Sequence, residues 1–207
     1  WGHSGQYGTD FLVPGMAVEI VDNHTLEAYA RRIVAKVERF NKEYSAVTFT
    51  EPLPENIRPG HLIAADEPGP DVHISGCRMS GNRARGLLIG SRGRVIIENN
   101  YFHIAGASIL FEGDGNFWFE QSGVRDVTIR NNIFANGNYG SRGWGSACIA
   151  VGSGISQRQT SRYHRNIQVD GNLFRVFDPR IVNLYCVDGF QFSASNRIVR
   201  TSDYPAT

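Results

Sequence analysis

Lysine, methionine and cysteine are scarce in this chain of 207 residues. Only Lys36 and Lys42 are lysines, so the other 19 of the 21 basic residues are arginines. With 20 acidic residues the formal net charge is +1. Such a small charge creates no field that favours a polyanion, so we expect no nucleic-acid partner. The excess of arginine favours fixed bidentate contacts over solvated surface charge.

The three cysteines, Cys77, Cys148 and Cys186, are far apart and form no C-x-x-C motif. This spacing excludes a zinc ribbon and a dithiol redox site, and we expect buried thiols that act as small apolar groups. The histidines show no metal-ligand spacing, and the glycines form neither a P-loop nor a dinucleotide fingerprint. We therefore expect no metal and no cofactor.

Long hydrophobic runs are also missing, because the longest apolar stretches have four or five residues. Hydrophobic residues make up 41% and charged residues 20% of the chain, and the mean hydropathy is −0.28. These values predict a folded domain with a sizeable core and no membrane partner. The chain begins at Trp1 in a glycine-rich run without a basic and then apolar leader, so we expect residues upstream and predict no compartment from the residues alone.

Four segments repeat one pattern, in which two alternating apolar residues precede an asparagine, replaced by Cys77 in the first segment, and a large apolar or aromatic residue. The segments are Asp71–Met79, Arg94–Phe102, Asp126–Phe134 and Asn166–Phe174, with a looser copy at Gly189–Phe192. If Val72, Val95, Val127, Ile167 and Phe190 are equivalent, the steps are 23, 32, 40 and 23 residues. The base period is therefore 23 residues, which indicates a repeat architecture.

A second apolar run follows in each period after a glycine-containing turn. These runs are Gly86–Ile89, Ala107–Phe111, Ala147–Val151 and Ile181–Tyr185. They are β-rich and too short for helices. A strand pair that recurs at this period is typical of a parallel β-helix, in which each coil buries its apolar face by stacking on the next coil.

We therefore predict an all-β fold that contains a right-handed parallel β-helix. Stacking would bring equivalent residues to about 4.8 Å from each other, so the repeated asparagines should form a ladder and the repeated phenylalanines an internal stack. The aligned residues are Asn100, Asn132 and Asn172 for the ladder and Phe102, Phe134 and Phe174 for the stack. The alternative is a β-sandwich, but a sandwich does not require the same residues at the same offset.

Residues 1–66 do not follow the repeat, and their short alternating segments predict four or five strands of a small N-terminal β-barrel-like domain. The stretch Asp66–Pro70 contains two prolines and a glycine, which end strands and exclude helices. We therefore expect one domain at 1–66 and the β-helix coils at 67–207.

The two longer periods carry their extra residues after the second strand, at 112–125 and 152–165. Both insert loops should leave the same edge and lie side by side, which makes that edge the candidate site. Glu112, Asp114 and Glu120 lie close to Trp118 in the first insert, and carboxylates beside an aromatic ring are typical of sugar binding. If the strand continues, the Cα atoms of Glu112 and Asp114 would be roughly 6.6 Å apart. The alternative is a solvated turn whose acids pair with nearby arginines.

Arg83, Arg85 and His164 complete the candidate substrate-binding residues. The two arginines flank one alanine, so in an extended chain they point the same way, one coil before Glu112. They could hold an acidic sugar or a carboxylate, or bridge two coils. His164 ends the second insert, where a lone histidine has a structural role more often than a binding role.

One set of motifs extends over most of the chain. These motifs are Asn82–Gly86, Val95–Asn100, Gly113–Asp114, Asn116, Trp118, Glu120, Ser122–Gly123, Asp126–Asn132 and Tyr163–Asn166. Together they resemble glycoside hydrolase family 110. Phe11–Gly15 and Thr50–Pro54 also resemble the barrel segment that the family inserts into its β-helix. The resemblance implies a metal-independent inverting α-1,3-galactosidase that acts on terminal α-galactosides, including blood-group B antigen, and a secreted or periplasmic protein.

The catalytic aspartates of that family precede the barrel segment, and nothing in this chain matches them. The chain resembles the C-terminal half of such an enzyme, so we expect substrate-binding residues without the acid and base. Two other functions remain open, a non-catalytic carbohydrate-binding or interaction module and a polysaccharide lyase. We also expect a homodimer or the barrel to cover the open end of the β-helix.

Overall fold

The structure is a computed structural model that describes residues 9–41, 43–115, 118–119, 123–140 and 142–204. The described residues form two compact units. The first consists of the described residues of Trp1–Glu67, Gly113–Gln121 and Gly154–Gln157, and the second of those of Pro68–Glu112, Ser122–Ser153 and Arg158–Thr207. Among the described residues, no helix has the length and apolar character that a membrane crossing requires.

The first unit contains four antiparallel strands in the order β3-β2-β1-β4. They are β1 (Ala17–Val21), β2 (Ala28–Arg39), β3 (Ser45–Phe49) and β4 (Leu62–Ala65). The first half of β2 pairs with β1 and the second half with β3, and a register irregularity between Val34 and Lys36 allows the strand to bend there. Leu12, Val18 and Val34 form the buried core of this sheet.

The second unit is a parallel β-helix with three sheets. The long-strand sheet contains β5 (Val72–Ser75), β8 (Arg94–Glu98), β11 (Asp126–Arg130), β14 (His164–Asp170) and β17 (Val187–Phe192). The short-strand sheet contains β6 (Arg78–Ser80), β9 (Tyr101–His103), β12 (Ile133–Ala135), β15 (Leu173–Val176) and β18 (Arg197–Arg200). The loop-bearing sheet contains β7 (Leu87–Ile89), β10 (Ile109–Gly113), β13 (Ile149–Ser153) and β16 (Val182–Leu184).

The register of the long-strand sheet confirms the repeat. Val72 pairs with Val95, Val95 with Val127, Val127 with Ile167, and Ile167 with Phe190, in parallel throughout. The unequal steps along the chain therefore become equal steps across the sheet, because the extra residues of the longer coils leave the stack as loops.

Each repeated nine-residue segment forms two strands, where the sequence pattern predicted one. A residue with positive φ separates the long strand from the short strand, and it is Gly76, Asn99, Asn131 or Gly171 in successive coils. This left-handed conformation favours glycine and asparagine and turns the chain sharply. Each coil therefore has three sides.

The asparagine that follows this bend forms the predicted ladder. The Asn132 amide donates to the Ile97 carbonyl at 2.9 Å and to the Asn172 side-chain oxygen at 3.0 Å. Its own oxygen accepts from the Asn100 backbone N–H at 2.9 Å. The ladder extends to Asn196, whose oxygen accepts from Asn172. The amides of Asn100, Asn132 and Asn172 are buried, and they satisfy backbone groups that the bend withholds from the sheets.

The phenylalanine stack is also confirmed. The ring centroids of Phe102 and Phe134 are 5.1 Å apart, and those of Phe134 and Phe174 are 4.7 Å apart, with nearly parallel planes. Cys148 lies in the same core, whereas Cys77 is exposed, which differs from the expectation that all three thiols are buried. Cys77 takes the ladder position of the first coil, where the strands of its own coil form the edge of each sheet.

We predict that Asn132→Ala lowers the free energy of unfolding by about 3 kcal/mol, because it leaves the Ile97 carbonyl and the Asn100 N–H of the preceding coil without these side-chain partners. Urea unfolding followed by circular dichroism measures this change. The control is Gln168→Ala, which removes an exposed amide from the outer face of β14 and should cost less than about 0.5 kcal/mol. Equal losses in the two variants would contradict a stabilising role for the ladder.

Candidate functional site

Glu112 lies on the outer face of the loop-bearing sheet. Ile109 and Phe111 of the same strand are completely buried in the core, so the alternation of side chains directs Leu110 and Glu112 outward. Glu112 is half-buried. In the part of the chain that the structure describes, its carboxylate has no hydrogen-bond or ion-pair partner. The carboxylate is therefore free of the arginine pairing that a purely structural turn would predict.

The strand register places Glu112 in a row with Gly152 and Tyr185. The Ile109 N–H donates to the Cys148 carbonyl at 3.0 Å, so Glu112 is opposite Gly152 three residues later. The pairing of Val151 with Leu184 then brings Tyr185 opposite Gly152. A Cβ added at Gly152 would be in van der Waals contact with the Tyr185 side chain, 3.4 Å from its Cβ, so Tyr185 lies over the outer face of this strand. A carboxylate and a phenol ring thus come from two coils, with Cα atoms about 9.6 Å apart.

Tyr185 and Arg158 are site candidates that the sequence patterns did not identify. Tyr185 is 38% exposed, and the guanidinium carbon of Arg158 lies 5.7 Å from its ring centroid. The signal for Tyr185 was available, because it ends the last of the four apolar runs in the position that Glu112 occupies after the second run. No spacing rule pointed to Arg158, which reaches the ring through the fold of the second insert.

Arg83 and Arg85 are exposed in the turn before β7. The guanidinium carbon of Arg83 lies 5.5 Å from the centroid of the Trp144 ring, which is within the range of a cation–π interaction. Gly106 makes this contact possible, because a Cβ there would collide with the carbonyl oxygens of Ala84 and Trp144. Among the described residues, neither arginine forms an ion pair with Glu112.

Asp114 and Trp118 belong to the first unit. Strand β10 ends at Gly113, and the Asp114 carboxylate accepts the backbone N–H of Trp118, which closes a turn. Gly115 packs so tightly against Leu26 and Leu62 that a Cβ would overlap their side chains. Trp118 remains 52% exposed on this anchored turn. The structure therefore gives Asp114 a turn-closing contact and presents the indole to solvent.

Both insert loops contact the turn between β1 and β2. Gly115 of the first insert packs on Leu26, and in the second insert the Gln157 N–H donates to the His24 carbonyl at 3.2 Å. The His24 Nδ1 and the Ser156 Oγ are 3.1 Å apart. The two loops follow adjacent strands of one sheet, as the repeat predicted. Glu120, the remaining acid of the first insert, lies outside the described residues.

Comparison with known proteins shows similarity along almost the whole chain. The family described as GLAA-B beta-barrel domain II matches residues 1–63. The chain is 38% identical over 204 residues to an alpha-1,3-galactosidase A from Shewanella woodyi, which covers 98% of this chain and 33% of that protein. It is 35% identical over 199 residues to an alpha-1,3-galactosidase B from Bacteroides thetaiotaomicron, covering 95% of this chain and 32% of that protein.

The chain is thus similar to α-1,3-galactosidases along almost its whole length. An alpha-1,3-galactosidase B from Akkermansia muciniphila is also 29% identical, over 98% of this chain and 26% of that protein. The chain thus spans about a third of the length of the curated relatives that it matches. These similarities confirm the resemblance that the sequence motifs indicated. The match at residues 1–63 also confirms the predicted resemblance of this segment to a barrel domain of that family.

His164 is completely buried. Its Nδ1 accepts the Val124 backbone N–H at 3.2 Å, so the ring proton is on Nε2, which donates to the Gly152 carbonyl at 3.1 Å. Burial lowers the pKa of the imidazole to about 4, so the ring is neutral at pH 7. Both ring nitrogens are used by the backbone, which favours the structural role over the substrate-binding role that the sequence left open.

We predict that the free energy of unfolding decreases as the pH is lowered from 7 to 5, because of His164. An unfolded histidine has a pKa of about 6.5, so between about pH 6.5 and pH 4 the unfolded chain binds a proton that the folded chain does not bind. The free energy of unfolding should therefore drop by roughly 2 kcal/mol from pH 7 to pH 5 on account of this residue. Urea unfolding at both pH values should show a smaller drop for His164→Gln. If NMR of the folded protein shows that the His164 imidazole titrates near pH 6.5, this prediction is refuted.

Proposed function

We propose that this chain is the substrate-binding part of an enzyme that acts on terminal α-galactosides, and that the acid and base of hydrolysis come from outside these 207 residues. The names of the relatives support the substrate class. The observation that carries the proposal is the Glu112 carboxylate, which is without a described partner at the edge where both insert loops leave the sheet. A carboxylate in this position is suited to accept hydrogen bonds from sugar hydroxyls.

Other candidate residues have chemistry that a galactose ring requires. Tyr185, in the same row, offers an aromatic ring and a phenol hydroxyl. Arg85 is opposite Ala107, five residues before Glu112 or roughly 16 Å along the strand. The exposed guanidinium groups of Arg83 and Arg85 would therefore donate hydrogen bonds to a more distant part of a glycan. On the first insert, the exposed Trp118 ring could cover the apolar C–H face of a sugar. We propose these roles residue by residue, and each has its own variant below.

Hydrolysis by inversion requires two carboxyl groups about 6.5–9.5 Å apart, with room for a water molecule between them. The row that contains Glu112 consists of Gly90, Glu112, Gly152 and Tyr185, all of them described, and it has one carboxylate. Asp114 uses its carboxylate to close the turn at Trp118. These features support a binding role without the catalytic pair.

The open edges of the β-helix sheets are relevant to the proposed homodimer. In the described residues, β5, β6 and β7 have no strand on their outer side, and Val72, Met79 and Leu87 are only partly buried there. An open sheet edge exposes unpaired backbone groups. A second copy of the chain that covers this edge remains a prediction.

We predict that methyl α-galactoside binds with a dissociation constant in the millimolar range, about −4 kcal/mol. Glu112→Gln should weaken binding by about tenfold, because it removes a charged hydrogen-bond acceptor. Trp118→Ala should weaken binding by about fivefold, because it removes an aromatic contact. An NMR titration of the labelled protein measures all three constants.

The control for this titration is Tyr44→Ala, which removes a comparably exposed aromatic side chain, 59% against 52% for Trp118, from the hairpin between β2 and β3. This variant should bind like the wild type. Binding that responds to Tyr44→Ala but to neither site variant would place the ligand on the barrel and refute the proposed roles. No binding at all would refute the function.

We also predict no measurable release of nitrophenol from p-nitrophenyl α-galactoside by this chain alone, since the row at Glu112 lacks a second carboxylate. A blank without protein and a commercial α-galactosidase set the lower and upper limits of the assay. Turnover that disappears in Asp114→Asn would make Asp114 catalytic and overturn the prediction.

A further inference from the structure

The outer face of the short-strand sheet carries a cleft of about 410 Å³, lined by Tyr101, His103, Ala135, Asn136, Arg175, Asp203 and Tyr204. We propose that this short-strand cleft binds a neutral sugar ring of a glycan, as a second carbohydrate site on a different side of the coils from Glu112. Its volume lies in the range of about 300–1,000 Å³ that small-molecule sites occupy.

The floor of the cleft is a small residue between two large ones. Phe102 pairs with Phe134, so His103 is opposite Ala135 in the next coil, and Ala135 pairs with Arg175 in the coil after it. The three side chains therefore form one outward row at strand spacing, about 4.8 Å for each step. The methyl group of Ala135 leaves a depression between the imidazole and the guanidinium group.

The segment 201–204 builds one wall by returning across the sheet. The Thr201 N–H donates to the Val176 carbonyl at 3.0 Å, and its hydroxyl donates to the Asn136 side-chain oxygen at 2.6 Å. The Asn136 amide donates to Asp203 Oδ2 at 2.7 Å. The Tyr204 hydroxyl lies 3.2 Å from the His103 Nε2. Contacts to three different coils thus hold this wall in place before any ligand binds, which reduces the entropy cost of binding.

Aromatic rings provide the apolar part of the cleft. The rings of His103 and Tyr139 are stacked with centroids 4.9 Å apart, and those of Tyr139 and Tyr204 are stacked at 5.3 Å. The guanidinium carbon of Arg78 lies 4.0 Å from the Tyr101 ring centroid. These contacts fix the rings, and fixed aromatic rings beside polar groups suit a ligand with both C–H faces and hydroxyls.

The charges in the cleft favour a neutral ligand. Arg175 and Asp203 are both exposed and have opposite signs, so the cleft has no net preference for an anion or a cation. In the described residues, the Arg175 guanidinium group has no ion-pair partner, and Asp203 Oδ1 takes part in no hydrogen bond. A ring with several hydroxyls could accept from the first group and donate to the second.

The test is an NMR titration of the whole chain with methyl α-galactoside, a probe whose choice rests on the proposed function. We expect saturable shifts of the amides of Tyr101, His103 and Ala135, separate from any shifts near Glu112. Ala135→Leu places a larger side chain at the floor of the cleft. This should raise the dissociation constant measured at these amides about tenfold, which corresponds to about 1.4 kcal/mol of binding free energy. Arg175→Met should have a similar effect, whereas Arg197→Met, a neighbouring exposed arginine on β18, should leave binding unchanged.

The variants separate this inference from the proposed function. Glu112→Gln and Trp118→Ala should leave the cleft shifts as they are in the wild type. Shifts confined to residues near Glu112 or Trp118 would overturn the cleft proposal and leave the proposed function standing. Cleft shifts that persist in both Ala135→Leu and Arg175→Met would also overturn it. Cleft shifts without any near Glu112 or Trp118 would support the cleft and count against the proposed function. A wild-type-like amide spectrum away from the cleft shows that each variant is folded.

Discussion

The buried asparagine ladder is the interaction on which the β-helix depends. Each coil must turn from a long strand to a short strand inside the protein, and such a turn leaves backbone N–H and C=O groups without sheet partners. The asparagine after each bend supplies both a donor and an acceptor to the preceding coil, as Asn132 does toward Ile97 and Asn100. An aspartate or a leucine at this position could supply only one of these functions or neither. The ladder therefore keeps the coils in register.

Register in turn decides which side chains can act together. Glu112 and Tyr185 are 73 residues apart in the chain, yet strand pairing brings them into one row on the loop-bearing sheet. The same rule brings His103, Ala135 and Arg175 into one row on the short-strand sheet. Each row contains one small residue, Gly152 or Ala135, between two larger side chains. The depth of the outer face along each row is thus set by which coil contributes the smallest side chain.

The insert loops show how the coil tolerates unequal repeat lengths. The extra residues leave after β10 and β13, and part of each insert joins the first unit, where Gly115 packs on Leu26 and Gln157 bonds to His24. The Asp114 carboxylate accepts a hydrogen bond from the backbone N–H of Trp118. Two acids that the sequence presents as equivalent candidates therefore differ in the structure. Asp114 accepts a hydrogen bond from a nearby backbone N–H, whereas the Glu112 carboxylate has no hydrogen-bond or ion-pair partner in the described part of the chain.

The sequence alone determined the period, the parallel stacking, the asparagine ladder and the phenylalanine stack, because each coil has to meet the same packing requirement and repeats the same residues to meet it. It also identified the resemblance to α-1,3-galactosidases and the edge from which both loops leave. Only the tertiary structure decided that each repeat segment bends into two strands, that Cys77 is exposed, and that His164 gives both ring nitrogens to the backbone. It also decided which residues face Glu112 across the sheet and how the cleft at Ala135 is built. These features depend on contacts between coils whose loops differ in length, so no spacing along the chain records them.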